Sequence, residues 1–406
     1  MQKFEKHSPV VVTEVTTKHE LRQFMQYPNR LYADNPNYIP SFYGDDLSDW
    51  TPGKNPAFDY CEARCWLARR DGEIVGRIGA ILSHKANDKF GTHRMRFSQV
   101  DFVDDSEVSA ALFGTVERWA REKGCDQVHG PLGFTDMDRE GMLVEGFDRR
   151  SLFFTNYNAP YYLEHLTRLG YRKDVDWIEY RITVPEPGGA EAERLHKLSE
   201  FILKRKHLHV ATVHHKSEYG PFVRQVFELV NAAYAPLYGV VELSDEQIER
   251  YANKFIPLVD PDFVCFVVDE QEKLVAFGVT ALDPSVALKH SDGRLFPFGW
   301  AGVLNDLHHS DTLIMLLTAV RPDLQTEGIN AVMMDHVCQS CNRHGVRFAE
   351  TGPMLELNDH ILAQWKRLKK EQHKRRRCFI KDLDHDVNAA NAAAAQTETP
   401  ETESAE

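Results

Sequence analysis

The chain has 406 residues, and 61 acidic against 48 basic side chains give it a formal net charge of −13. This length suits two or three domains, because a single domain usually comprises ~100–200 residues. Hydrophobic residues make up 42% of the chain, which excludes the collagen-like and wholly disordered classes. The acidic balance argues against a general nucleic-acid-binding surface.

Cysteine usage and the amino terminus indicate a cellular compartment. The seven cysteines are an odd number, and the first residues contain no apolar segment as long as that of a secretory signal. The longest apolar stretch, residues 313–320, is much shorter than the ~20 residues that a membrane helix needs. We therefore expect reduced thiols and a cytoplasmic protein that touches the inner membrane at most peripherally.

The first half of the chain alternates strand-like and helix-like segments. In chain order we predict a strand at 10–15, helices at 18–32 and 39–50, a hairpin within 65–80, a strand at 96–103, a helix at 105–123, a short strand at 127–129, a helix at 161–169 and a strand at 177–183. The acids at 104 and 105 suit the start of the long helix, and Gly124 suits its end.

The second half repeats this order. Here we predict a strand at 210–214, helices at 219–234 and 244–254, a hairpin within 265–281, a strand at 311–320, a helix at 326–344, a short strand at 346–351, a helix at 359–370 and a last strand at 376–382. Recurrence at a spacing of about 200 residues favours two copies of one supersecondary arrangement.

Proline and glycine separate the two copies. Residues 184–189 read Val-Pro-Glu-Pro-Gly-Gly, which is typical of a linker. We predict a first domain at 1–184, a linker and bridging helix at 185–208, and a second domain at 209–384. The Ala-, Thr- and Glu-rich residues 385–406 cannot bury a core, so we predict a disordered acidic tail there.

The segment 316–331 carries the clearest chemical signal. An apolar strand ends in Val320-Arg321-Pro322, and the turn after it contains Gln325-x-x-Gly328-x-Asn330 directly before a helix. Free backbone N–H groups at a helix start attract anions, and a glycine there has no Cβ to keep a phosphate away. These residues alone predict an anion cradle at 325–331.

This segment resembles the signature of the GNAT superfamily of acyl-CoA-dependent N-acyltransferases, in which V-x-P ends a strand and Q/R-x-x-G-x-G/A opens the next helix. The resemblance implies that acyl-CoA or acetyl-CoA is bound as a substrate, without a metal, and that its diphosphate is held at the bend. The residues concerned are Val320, Gln325, Thr326, Glu327, Gly328, Ile329, Asn330 and Ala331.

The whole chain is similar to a bacterial family of paired GNAT modules that includes ceramide-synthase-like members. The matching stretches include Gly130-Pro131-Leu132-Gly133-Phe134 and Asn158-x-x-Tyr161-Tyr162. The resemblance implies an α/β fold of two tandem GNAT-like domains, each a mixed, mostly antiparallel sheet flanked by helices. Four acids within residues 101–107 would repel a diphosphate, so we expect the first domain to be degenerate and the second to hold the cofactor.

N-acyl transfer needs a base for the amine and a donor to the developing oxyanion. Glu350, on the strand beside the expected cleft, is the first candidate base, and Glu356 is the second. Asn358 either caps the helix that follows or contacts the thioester. Many GNAT enzymes also carry a late tyrosine as the acid for the thiolate; near that position this chain has Cys378-Phe379.

Acidic and aromatic residues of the first half are candidates for binding the acceptor. Asp136, Asp138 and Glu145 could hold a cationic amine, and Tyr161 could line a lipid channel. Turn formation, helix capping and core packing are the alternatives for the same residues.

A cysteine pair and a basic segment can each be interpreted structurally or functionally. Cys338 and Cys341 fall within a predicted helix without two further ligands, so we expect buried thiols and no metal site. The segment Lys366–Arg377 holds eight basic residues. Three interpretations remain open: this segment is a solvated surface, it steers the CoA phosphates, or it contacts an anionic membrane leaflet.

The sequence therefore predicts a GNAT-type N-acyltransferase that moves an acetyl or long-chain acyl group onto a primary amine, with a sphingoid-type amine as one candidate acceptor. The alternative is a non-catalytic acyl-CoA-binding or regulatory protein. Asn330, where the superfamily usually has Gly or Ala, and the missing late tyrosine favour that alternative. The acyl length, the acceptor and the oligomeric state do not follow from the sequence.

Overall fold

A computed structural model describes residues 8–383. The first half comprises β1 (Val11–Glu14), α1 (Lys18–Leu31), α2 (Tyr43–Asp49), β2 (Cys61–Arg70), β3 (Glu73–Ser83), α3 (His84–Phe90), β4 (Arg94–Phe102), α4 (Ser106–Glu122), β5 (Gln127–Gly130), β6 (Met142–Glu145), α5 (Tyr162–Arg168) and β7 (Arg172–Thr183). The predicted tail at 385–406 lies outside the described residues.

The second half begins with the predicted bridging helix. It comprises α6 (Ala190–Lys206), β8 (His209–Val210), α7 (Gly220–Tyr234), α8 (Asp245–Phe255), β9 (Val264–Val268), β10 (Leu274–Leu282), α9 (Ser285–His290), α10 (Gly299–His309), β11 (Thr312–Val320), α11 (Asn330–His344), β12 (Phe348–Glu350), β13 (Met354–Leu355), α12 (Asp359–Gln364) and β14 (Lys370–Asp382). None of the helices within residues 8–383 is both long and apolar enough to cross a membrane.

Local signals in the sequence account for several element boundaries. Thr17 and Ser244 form capping boxes at the starts of α1 and α8. The Asp105 side chain caps α4, as predicted, and accepts hydrogen bonds from two backbone N–H groups. The helix predicted at 326–344 starts only at Asn330, because Gly328 adopts a positive φ of +81° and keeps the preceding residues in a turn.

Two predictions near the carboxyl terminus need correction. The helix predicted at 359–370 ends at Gln364, and β14 begins at Lys370 rather than at residue 376. The basic side chains at 374–377 lie in a strand because acidic partners on β7 and β6 pair with them across the sheet. The elements α3, β6, α9, α10 and β13 were not predicted.

The strands form one mixed sheet that runs through both halves. Twelve strands follow the order β1-β2-β3-β4-β5-β14-β7-β12-β11-β10-β9-β8, and β6 and β13 pair with β14 and β7. In each half, a long helix joins two parallel strands, β4 and β5 in the first and β11 and β12 in the second. Helices cover both faces of the second half, with α7 and α8 on one face and α6 and α11 on the other.

The two halves exchange their last strands. The short strand β5 of the first half pairs with β14, which ends the second half. The corresponding β12 of the second half pairs with β7, which ends the first half. β7 and β14 pair with each other in antiparallel orientation, from Lys370 opposite Ile182 to Ile380 opposite Arg172. Neither half therefore completes its sheet with its own chain.

A buried charge cluster joins the exchanged strands. Glu179 on β7 accepts hydrogen bonds from Arg376 and from Lys374 Nζ (3.3 Å) on β14, and all three side chains are fully buried. Lys374 also contacts Glu350 on β12 at 3.3 Å. Burial alone would raise the pKa of Glu179, but the charges of Arg376 and Lys374 outweigh it and lower that pKa to about 2.

Replacing Glu179→Gln should destabilise the protein strongly, because it leaves two buried cations without their shared carboxylate. We expect the free energy of unfolding to fall by about 3–5 kcal/mol, measured by urea denaturation at pH 7. The depressed pKa also gives a pH dependence. The stabilisation by Glu179 is complete above the ordinary pKa of about 4.5 and is lost as the pH falls towards about 2. Equal stability of the variant and the wild type at pH 7 would contradict the role of this cluster.

Candidate active site

A cleft of about 730 Å³ opens in the second half, where β11 ends and α11 begins. Val320, Gln325 and Asn330 form one end of this cleft. The β13–α12 connection contributes Asn358, and the segment after α7 contributes Tyr238. The cleft therefore lies between the predicted anion cradle and the chain that follows α7.

The bend before α11 leaves several backbone N–H groups free. Residues 322–324 make one 3₁₀ turn, and the amides of Leu324, Glu327 and Ala331 each bond to the carbonyl three residues earlier. Within residues 8–383, the amides at 325, 326, 328, 329 and 330 donate to no backbone carbonyl. Free amides at a helix start suit an anion such as a diphosphate.

The predicted cofactor residues divide into two groups. Val320, Gln325 and Asn330 border the cleft, and Gln325 Nε2 donates to the Val320 carbonyl at 3.3 Å. The others do not border the cleft. Ile329 is buried in the core, and Ala331 packs against that core. Glu327 pairs with Lys206 at 2.6 Å, and Thr326 is exposed. The Lys206 pair partly neutralises the only carboxylate of this bend.

The physical reason for glycine at position 328 differs from our prediction. A Cβ there would lie 3.2 Å from Ile202 Cδ1 on α6, so it would point towards that helix. Glycine is needed for the positive φ and for the close approach of α6.

An apolar cavity of about 90 Å³ continues from the cleft between the sheet and α11. Thr318, Asn330 and Gln364 border both spaces, so the two meet at these side chains. The remaining wall is apolar and is formed by β10, β11, α11 and Trp365. Cys338 and Cys341 lie in this wall as buried free thiols, which confirms the prediction that this pair is buried.

On the opposite wall of the cleft, Tyr238 meets side chains from the exchanged strands. Its hydroxyl lies 2.5 Å from Asp174 Oδ2 on β7, 3.0 Å from His129 Nδ1 on β5 and 3.5 Å from Cys378 Sγ on β14. Asp174 and Tyr238 both border the cleft. No sequence signal identified this group, because its members come from four distant segments.

Burial controls the charges in this group. It lowers the pKa of His129 to about 4, so the imidazole is neutral near pH 7. Burial also raises the pKa of Tyr238 well above its ordinary value. For Asp174, burial acts to raise the pKa, but hydrogen bonds from His129 and Tyr238 outweigh it and the pKa is lowered.

His129, Asp174 and Cys378 also present potential metal-ligand atoms within 4.8 Å of one another. The Tyr238 hydroxyl contacts all three, so these groups are satisfied without an ion. The absence of a metal stays a prediction.

The three predicted catalytic residues do not come together. Glu350 pairs with Arg181 (3.2 Å) and Lys374 (3.3 Å) in the buried charge cluster. Glu356 pairs with Arg375 at 3.1 Å and also contacts Lys173. Asn358 borders the cleft, and its Oδ1 caps α12 by accepting from the Ile361 amide. These contacts support structural roles for both glutamates.

The four predicted acceptor residues are also dispersed. Asp138 Oδ2 accepts from the amides of Phe134 and Thr135, and burial raises the pKa of Asp138 and of Asp136. Two further residues make contacts elsewhere: Glu145 pairs with Arg375 at 3.2 Å, and Tyr161 donates to the Phe102 carbonyl in the first-half core. None of the four borders the cleft.

Four of the eight basic residues in the segment 366–377 form ion pairs within the protein. Lys374 and Arg376 are buried with Glu179, and Arg375 and Arg377 pair with Asp176. The predicted membrane contact through this segment stays a prediction that rests on its remaining basic side chains.

Three known proteins are similar to most of this chain. Protein YghO of Escherichia coli (strain K12) is 27% identical over 379 residues, covering 92% of this chain and 95% of that protein. The bacterial ceramide synthase of Caulobacter vibrioides is 28% identical over 300 residues, covering 72% and 75%. A solved tandem GNAT protein from the clavulanic acid biosynthesis pathway matches with a TM-score of 0.52 at 13% identity, covering 92% and 99%. This chain has the tandem GNAT fold. No protein-family model matches it.

The two halves of the tandem GNAT fold differ at the start of the long helix. In the first half, Asp105 Oδ1 accepts hydrogen bonds from the amides of Glu107 (2.8 Å) and Val108 (3.3 Å). The carboxylate thus occupies the position that an anion would need at this helix. In the second half no carboxylate caps α11, and the amides of Ile329 and Asn330 at its start donate to no backbone carbonyl. This difference is consistent with the prediction of a single cofactor site in the second half.

The bend can be tested with a matched pair of glycine substitutions. Gly328→Ala should lower the affinity for CoA by about tenfold, because alanine strains the positive φ and its Cβ pushes against Ile202. Gly345→Ala is the control, since Gly345 ends the same helix at a φ of +70° with open space around it. Calorimetric titration with CoA measures both. Equal affinities for the two variants would contradict the cradle.

Proposed function

We propose that this tandem GNAT protein transfers an acyl group from coenzyme A to a primary amine. The observation that carries the proposal is a cleft that is bordered by Gln325 and Asn330, whose amides donate to no backbone carbonyl, and that continues into an apolar cavity. Free amides suit the CoA diphosphate, and an apolar cavity suits an acyl chain. The thioester would then lie near Thr318, where the two spaces meet.

The reaction forms one bond and breaks another. The amine nitrogen attacks the thioester carbon, and the carbon–sulfur bond breaks to release the CoA thiolate. Holding both substrates in one cleft accelerates the attack because the reacting atoms are already close and oriented. The Asn358 Oδ1 atom caps α12, so its Nδ2 group is the donor that this residue can offer to the oxyanion.

The lining of the apolar cavity favours an acyl group longer than acetyl. Met315, Met333 and Met334 form much of the wall, and methionine side chains adapt their shape easily. A long acyl chain and a lipid-like amine, such as a sphingoid base, are our preferred substrates. The similarity to a protein named bacterial ceramide synthase is consistent with this choice. Acetyl transfer to a polyamine, an aminoglycoside or a protein terminus is the enzymatic alternative.

A second function class is a protein that binds acyl-CoA without turnover. The ion pairs of Glu350 and Glu356 favour it, because they engage both predicted bases. Asn330 at the bend favours it as well, since the superfamily usually has Gly or Ala there.

Thiol release separates the two classes. We expect free CoA to form when the protein is mixed with an acyl-CoA and an amine, and to form fastest with a long acyl chain. The panel comprises acetyl-, octanoyl- and palmitoyl-CoA with spermidine and sphinganine, and the amide product is confirmed by mass spectrometry. Tight CoA binding without turnover in any combination would favour the non-catalytic class.

The role of the apolar cavity can be tested by filling it. Gly278 lines the cavity on β10, and a Cβ there would lie at ordinary contact distance, 3.8 Å, from Met333. Gly278→Leu should therefore be tolerated in the fold but should lower kcat/KM for palmitoyl-CoA by at least tenfold relative to acetyl-CoA. Gly114→Leu, at a position on α4 with open space, is the control. An unchanged chain-length profile would contradict this assignment.

A further inference from the structure

Tyr238 lies where both halves of the chain meet the cleft. The residue belongs to the segment after α7, but its hydroxyl contacts Asp174 and His129 of the first half. It also lies 3.5 Å from Cys378 Sγ, in the region where many GNAT enzymes carry their late tyrosine. A tyrosine hydroxyl is thus present at that place, although it comes from another element.

The hydrogen-bond distances determine the direction of each bond. A tyrosine has one hydroxyl proton, and the 2.5 Å contact with the Asp174 carboxylate assigns that proton to the Tyr238–Asp174 bond. His129 Nδ1 must then carry a proton and donate to the Tyr238 oxygen at 3.0 Å. The Cys378 thiol lies 3.5 Å from the same oxygen and 3.7 Å from the Phe379 carbonyl. When the thiol donates to that carbonyl, one lone pair of the Tyr238 oxygen remains for a group in the cleft.

Hydrogen bonds from side chains of the first half fix the segment that carries Tyr238. Lys89 Nζ on α3 donates to the carbonyls of Ala235 (2.8 Å) and Val240 (2.9 Å), which flank Tyr238 on both sides. The buried Arg96 donates to the Gly239 carbonyl at 3.0 Å. These charge-assisted bonds restrict the position of the hydroxyl relative to the cleft.

We propose that Tyr238 is the acid–base residue of the acyl transfer, that Asp174 exchanges protons with it, and that His129, Lys89 and Arg96 position it. This inference rests on the proposed function. The Tyr238 oxygen takes a proton from the attacking amine as its own proton passes to Asp174. After the carbon–sulfur bond breaks, the proton returns through Tyr238 to the thiolate. The products are the amide and CoA thiol, and no further reactant is needed.

The surrounding charges suit this transfer. The lowered pKa of Asp174 keeps its carboxylate ionised at neutral pH and makes it a weak base, so it takes the Tyr238 proton only as the amine proton arrives. Arg94 lies 3.8 Å from Asp174 Oδ2, and the charges of Arg94 and Arg96 help to keep His129 neutral. A tyrosinate anion beside the Asp174 carboxylate would be repelled by it. This anion does not form, because Tyr238 gains the amine proton as it loses its own proton to Asp174.

The test measures kcat, KM and CoA affinity for Tyr238→Phe with whichever acyl-CoA and amine pair the wild type uses fastest. We expect kcat to fall about 10²-fold or more, with the Kd for CoA unchanged within threefold. Tyr219→Phe is the control, because this buried tyrosine donates to the Val259 carbonyl and does not border the cleft; its kcat should be unchanged.

Two further variants test the partners separately. Asp174→Asn keeps an acceptor for the hydroxyl but cannot take a proton, so kcat should fall at least tenfold at an unchanged Kd for CoA. Lys89→Met should lower kcat at an unchanged thermal midpoint, and Lys89→Arg should restore most of it.

The outcomes distinguish this inference from the proposed function. Turnover by the wild type together with a Tyr238→Phe kcat within threefold of it would overturn the inference alone. A loss of CoA affinity that accounts for the loss of activity would also overturn it, since it would indicate a structural role. If the wild type turns over no pair in the panel, the inference and the proposed function both fail.

Discussion

The antiparallel pairing of β7 with β14 is the interaction on which the rest of the structure depends. Each strand ends one half of the chain but completes the sheet of the other half, so neither half has a finished edge without its partner. Glu179 on β7 and the cations Arg376 and Lys374 on β14 are buried in this pairing. They stabilise the exchanged arrangement, because a buried charge is costly without its partner and these charges meet where the two strands pair. The exchange makes one continuous sheet from two similar units.

The exchange also explains the composition of the cleft. Asp174 and Cys378 lie on the two exchanged strands, and His129 lies on the strand next to them, so all three reach the segment after α7. At the start of α4 in the first half, the Asp105 carboxylate accepts from the amides of Glu107 and Val108. The first half instead contributes Asp174 and Val175 to the wall of a cleft whose proposed anion-binding end belongs to the second half. In a duplicated chain, one half can thus provide the proposed anion-binding bend while the other half provides part of the cleft wall.

Much of the fold and part of the site could be predicted from residue patterns. Alternating apolar residues and capping residues such as Asp105 identified most elements and their recurrence, and the motif at 320–330 identified the bend at the head of the cleft. The predictions for Glu350 and Glu356 were made from their position beside a strand. The pattern could not show that cations on β14 lie opposite, because that register is set by the pairing of strands almost 200 residues apart.

The sequence by itself determined the local elements, their repetition and the turn before α11, since capping, periodicity and glycine conformation act over a few residues. Tertiary structure alone decided which strands exchange, that Gly328 packs against α6, and that Tyr238 meets Asp174 and His129. These features depend on contacts between segments that are distant in the chain. A repeated pattern is compatible with either pairing of the last strands, and only the packed sheet selects one of them.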